Sequence, residues 1–185
     1  MPPSASQLAR RVQQFASLLE RLEVKWRAHG DGKDCYLVID EYPVGLTRPR
    51  AKVAADDSLS HRSHRGSDTF TRYAQVAFLG DWFYLELPDM TLSPSEGEKL
   101  IQARPAFFYL KDRPDSPSAF NAARWAKLVR EFNPVHRCYR SGEKLVAAAD
   151  LAYLWFSLWK VPLDWVFQAK LSYFHATGAE IFSLP

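Results

Sequence analysis

The sequence predicts an α+β fold: an N-terminal helix, a small, mainly antiparallel sheet of about four strands, and C-terminal helices packed on it. Three observations lead there. A strict apolar seam runs through the first segment, a two-strand hairpin is written into residues 73–87, and helical spacing takes over after residue 113. Strands and helices therefore segregate instead of alternating, within a single domain over residues 1–185. Residues 1–112 hold the helix and sheet, and residues 113–185 form a helical C-terminal part.

The seam comprises Leu8, Val12, Phe15, Leu19, Leu22 and Trp26, spaced four, three, four, three and four residues apart. That pattern keeps one helix face against a surface, whether a sheet or a second subunit. Ser4 or Ser6 caps the helix, which runs to Ala28 and stops at His29-Gly30-Asp31-Gly32. Cys35 to Ile39 follows as a strand. Residues 42–69 then read as a long, mobile basic loop, with Val53 to Ala55 as a short edge strand within it. Tyr73–Leu79 and Trp82–Leu87 are strands joined at Gly80-Asp81, a pair that suits a type II′ turn.

Ser93-Pro94-Ser95-Glu96 starts a short helix with a capping box, and Pro105 ends it by Ala103. Ala106–Leu110 reads as the fourth strand. Three helices are expected beyond it. One carries Trp125, Leu128, Val129 and Phe132. A long apolar one is capped by Ser141 and reaches Lys160. The last is opened by Pro162, carries Leu163, Val166, Phe167, Leu171 and Phe174, and ends at Gly178. His136 to Tyr139 is a short extended piece between them.

Composition bounds the rest. Apolar residues make up 47% of the 185, enough for a real core. Of 26 aromatic residues only Phe15, Trp26, Tyr36 and Tyr42 precede residue 70, so the others fill a core or interface built later in the chain. A net charge of +3 is too small to mark a dedicated nucleic-acid binder. The start lacks a charged, then apolar leader, and Cys35 and Cys138 lie far apart, which together suit the reducing cytoplasm. Leu145 to Val161 is nearly all apolar, but its 17 residues fall short of a bilayer span and include Asp150. It reads as a buried helix, and no membrane partner is expected.

Chemical motifs are sparse. Tyr36 to Glu41 resembles a strand ending in paired carboxylates, yet no phosphate-cradling glycine loop accompanies it. His61 and His64 lack further ligands at metal-binding spacing. Cys138 and His136 share a strand face, so contact is possible, but no orienting acid is evident. The pair reads as a buried cysteine beside a surface histidine. No catalytic residue, metal or cofactor is expected.

Two binding readings remain. Leu8, Val12, Phe15, Leu19, Trp155 and Trp159 are the candidates for docking a partner protein, or a second copy as a homodimer. Arg48, Arg50, Lys52, Arg62, Arg65 and Arg72, with Trp82 or Tyr84, form the alternative: cations that hold nucleic-acid phosphates beside rings that stack on bases.

The order of Leu18-Leu19-Glu20-Arg21-Leu22, Val24-Lys25-Trp26, Tyr36-Leu37-Val38, Tyr84-Leu85-Glu86-Leu87 and Leu92-Ser93-Pro94-Ser95-Glu96 resembles the YbjN and TY-Chap type of domain. These are relatives of the type III secretion chaperone fold. The resemblance spans about residues 8–110 and implies a non-enzymatic, chaperone-like protein that binds other polypeptides, often as a dimer. The 42–69 loop, the basic charge and the C-terminal extension depart from that pattern.

Overall fold

The computed structural model describes residues 5–29, 35–40, 72–88, 91–112, 134–173 and 179–184. Helix α1 (Ala5–His29) precedes β1 (Cys35–Asp40), the hairpin β2 (Tyr73–Leu79) and β3 (Trp82–Leu87), and α2 (Pro94–Ala103). A two-residue β4 (Phe108–Tyr109), β5 (Val135–Arg140), α3 (Lys144–Ala152), β6 (Phe167–Tyr173) and β7 (Ala179–Leu184) complete the order. The architecture is α+β: among the described residues seven strands form one sheet ordered β4-β5-β3-β2-β1-β6-β7, antiparallel at every pairing.

Local signals in the sequence are realised closely. Gly80 takes φ +65° and Asp81 does not have positive φ, the type II′ pattern that matches strand twist. Ser93 Oγ accepts from Glu96 N–H while Glu96 returns a bond to the Ser93 N–H at 2.9 Å, closing the capping box. The long apolar helix starts later than Ser141, which opens a 3₁₀ turn. It continues beyond α3 as a π-helical stretch over Tyr153–Leu158.

The C-terminal third differs from expectation. Within the last helix expected over 162–178, Phe167–Tyr173 is a strand, and Ala179–Leu184 is another, which brings the described strands of the sheet to seven. Phe167 and Leu171 satisfy both a helical period and, with Ala169 between them, a period of two. Tertiary context selects the second: Phe167, Ala169 and Leu171 are all buried beneath the helices, and β6 lies against β1. The stretch His136–Tyr139 is likewise part of an inner strand between β4 and β3. The expected fourth strand shrinks to Phe108–Tyr109, and Leu110 enters a 3₁₀ turn. The expected 42–69 loop and the helix around Trp125–Phe132 lie outside the described residues.

The main core lies between one sheet face and the helices. Phe15 meets the Phe167 ring edge-on at 5.9 Å, Trp26 meets Phe78 at 5.4 Å, and Trp155 meets Phe167 at 4.8 Å. One carboxylate enters this core. Asp150 of α3 is buried, accepts from the Tyr139 hydroxyl at 2.8 Å, and lies 2.6 Å from Arg137 Nη1 and 3.6 Å from Arg104 Nε. Burial first, then the negative charge of Asp150, pushes the Tyr139 phenol well above its usual pKa, so it remains a donor. Removing one member of a buried charge cluster strands the others, so Asp150→Asn is expected to destabilise by about 3 kcal/mol in urea unfolding. Tyr139→Phe, which leaves the ion pairs intact, is expected to cost only about 1 kcal/mol.

A second cluster ties α1 to α3. Lys144 Nζ pairs with Glu20 and Glu23, and Arg27 Nε donates to Glu23 at 2.8 Å. Burial raises the Glu23 carboxyl, but Lys144 and Arg27 outweigh it and hold it below its usual pKa. A lowered carboxylate pKa stabilises the fold above the unfolded value and loses that contribution as pH falls through the folded one. Lys144→Met is therefore expected to cost about 1 kcal/mol at pH 7. Its stability difference from the parent should begin to shrink as pH falls to about 4 and vanish further into acid, below the lowered Glu23 value, when followed by thermal unfolding across pH.

Candidate functional site

Of the six residues expected to contact a partner, four serve the protein's own core. Phe15 and Leu19 are buried against the sheet, and Trp155 and Trp159 lie inward with rings 4.6 Å apart. Periodicity shows that a face is covered; it does not show by what. Here the complement of the α1 seam is the chain's own sheet and α3. Of the candidate contacts on that seam, Leu8, 39% exposed, and the half-buried Val12 extend toward solvent.

The basic candidates divide differently. Arg48, Arg50, Lys52, Arg62 and Arg65 lie outside the described residues. Arg72 is described, and it is engaged internally. Its Nη1 donates to the Trp159 carbonyl at 2.6 Å and its Nη2 lies 3.3 Å from Glu96. A guanidinium at a helix end satisfies a carbonyl that lacks an intrahelical donor. The expected aromatic platform is also modified: Tyr84 is buried, and Arg140 sits 3.9 Å above the Trp82 ring.

The β7 edge presents a different surface. Among the described residues β7 pairs with β6 alone, and its opposite backbone row faces away from the sheet. Helix α1 secures its inner face: Arg21 lies over the Phe182 ring at 4.7 Å, Lys25 pairs with Glu180, and Arg11 reaches the Leu184 carbonyl at 3.4 Å. Arg11 also donates to the carbonyls of Leu163 at 2.7 Å and Trp165 at 2.6 Å, which holds the approach to β6. Desolvation, then Arg10, lowers its pKa. Ile181 points to the other face and is 54% exposed.

The face of the sheet away from the helices carries the most chemically distinctive cluster. On β5, His136 Nε2 lies 3.1 Å from Cys138 Sγ. The cross-strand partner of His136 is Glu86 on β3, whose Oε1 stands 3.5 Å from His136 Nδ1. That separation suits an ion pair and is long for a hydrogen bond. Tyr84, opposite Cys138, stacks on the imidazole at 6.1 Å, and Phe108 meets it edge-on at 5.5 Å. Burial, then the charge of Cys138, raises the Tyr84 pKa.

The burial order reverses the sequence expectation: the histidine is fully enclosed and the cysteine is half-buried. The missing orienting acid is Glu86. Alternation along Trp82–Leu87 shows that Tyr84 and Glu86 share a face, but only the β3–β5 register brings them to Cys138 and His136. The two imidazole nitrogens address different partners, so the three groups line up as a relay and do not converge on one point. Consistently, among the described residues no three His, Cys, Asp or Glu side chains form a group that could hold a metal ion. Among the same residues no helix is long and apolar enough to cross a membrane.

No family model, curated protein or solved structure matches the chain.

Proposed function

We propose that this protein is a non-enzymatic, chaperone-like binding module that docks another polypeptide, with the partner adding an extended strand to β7. The observation that carries the reading is the composition of that edge. Ala179-Glu180-Ile181-Phe182-Ser183-Leu184 contains neither lysine nor proline, and its one charge, Glu180, is paired with Lys25. Edge strands are ordinarily protected by lysines, prolines or bulges, because their open N–H and C=O groups template further pairing. An incoming strand gains main-chain hydrogen bonds worth about 1 kcal/mol net each. Ile181 would add apolar contact on one face of the extended sheet, and Leu8 and Val12 continue the α1 seam as further candidate contacts.

The likeness of residues 8–110 to YbjN and TY-Chap domains supports the same class of activity. Cys35 and Cys138 are both free thiols, which suits a reducing compartment such as the cytoplasm.

A photo-crosslinking side chain at position 181 is expected to trap one polypeptide species in cells, identified by mass spectrometry as a different protein. Ile181→Lys combined with Ser183→Lys should leave thermal unfolding unchanged and weaken binding of that partner about tenfold or more. Trapping a second copy of this chain instead would replace the adaptor reading with a homodimer. A double variant that binds as tightly as the parent would remove β7 from the interface.

A further inference from the structure

We propose that Cys138 is a covalent modification site: its sulfur, held by His136 and Glu86, acts as a thiolate nucleophile that forms a mixed disulfide with small anionic disulfides, glutathione disulfide being the type. This goes beyond polypeptide docking and rests on different residues from the β7 edge.

The geometry carries the argument. A thiol becomes nucleophilic when a base takes its proton and a neighbouring charge retains the ion pair. His136 Nε2 at 3.1 Å from Cys138 Sγ supplies the base. A buried imidazolium alone is costly, and the Glu86 carboxylate 3.5 Å from Nδ1 offsets that cost on the far side of the ring. Tyr84 and Phe108 pack against the same ring and hold its plane. Cys138 is half-buried, in contrast to the fully enclosed histidine beside it.

The described titratable groups around the sulfur act in known directions. On β5, His136 and Arg140 flank Cys138 on the same face and both favour the anion. On β3, Tyr84 lies opposite the sulfur and Glu86 lies beyond the imidazole. On β1, Tyr36 belongs to the same side-chain cluster. Tyr84, raised by burial and by the Cys138 charge, stays protonated and adds no competing negative charge. Glu86 opposes the thiolate directly, but the interposed imidazolium screens it. Arg140, anchored over Trp82, provides a cation for an anionic reagent.

The step is balanced. The Cys138 thiolate attacks one sulfur of the small disulfide, a new S–S bond forms and the old one breaks. The departing thiolate takes the electron pair and accepts the proton held on His136. Cys35 does not resolve the adduct. It lies in the core on the opposite face of the sheet, and burial pushes its pKa up to about 11. The mixed disulfide therefore persists until an external thiol removes it.

The test uses the full chain with glutathione disulfide at pH 7. Intact-mass analysis and peptide mapping are expected to find one adduct, on Cys138, with Cys35 unmodified, and Cys138→Ser should abolish it. The rate should exceed that of an unstructured cysteine peptide about tenfold, and the iodoacetamide pH–rate profile should inflect below about 8.5. His136→Gln and Glu86→Gln should each slow the reaction about threefold or more and return the inflection toward that ordinary value. If His136→Gln does not fold, Glu86→Gln decides. An inflection at or above the ordinary thiol value in the parent, or a folded Glu86→Gln protein with unchanged rate and profile, would overturn the proposal.

Discussion

Asp150 carries a negative charge into the core where α3, β5 and the end of α2 meet, and the placement of the surrounding elements follows from neutralising it. A carboxylate there is tolerable only if donors surround it, because isolated burial of such a charge costs several kcal/mol. Arg137 and Tyr139 arrive from alternate positions of β5, and Arg104 arrives from the C-terminal end of α2. Both guanidinium groups also rest on aromatic faces: Arg137 lies 4.8 Å from the Tyr139 ring centre, and Arg104 lies 4.6 Å from that of Tyr153. An apolar cluster alone permits small rotations of α3 over the sheet. A charge that accepts from the Tyr139 hydroxyl and faces two guanidinium groups is far less forgiving.

That constraint reaches the other side of the sheet through strand alternation. Arg137 and Tyr139 must face Asp150, so His136 and Cys138 must face away from it. A one-residue slip of β5 would turn the histidine and cysteine toward α3 and expel the partners of the buried carboxylate. The same register sets Glu86 opposite His136 and Tyr84 opposite Cys138. The carboxylate clamp and the imidazole–thiol pair are thus two faces of one alignment, the first selecting by charge the geometry that the second requires for reactivity.

What the sequence made legible was local. The seam of α1, the Gly80-Asp81 turn and the Ser93–Glu96 box each involve residues within a few positions of one another, and each forms as their chemistry dictates. Within the expected helix over 162–178, Phe167–Tyr173 forms a strand because Phe167 and Leu171 fit two periods, and the deciding interaction, with β1, lies more than a hundred residues away. The candidate site divides along the same line. The proximity of His136 to Cys138 follows from two-residue spacing on a strand, whereas Glu86 joins them only through a β3–β5 pairing that spans about fifty residues. Trp155 and Trp159 show the converse limit: their shared face was legible, and the fact that Phe167 and Arg72 meet it was not.

The position of β7 follows from how α1 is used. The apolar side of that helix is consumed by β1, β2 and α3, which leaves its flank to meet β7 mainly through Arg21, Lys25 and Arg11. Such contacts hold the inner face of the strand without extending over its outer backbone row. The four-three spacing sets Phe15, Leu19 and Leu22 against the core, and Arg11, Arg21 and Lys25 lie on the side that meets β7. The same regularity commits α1 to its own sheet, and among the described residues β7 is left paired on one side only, with β6.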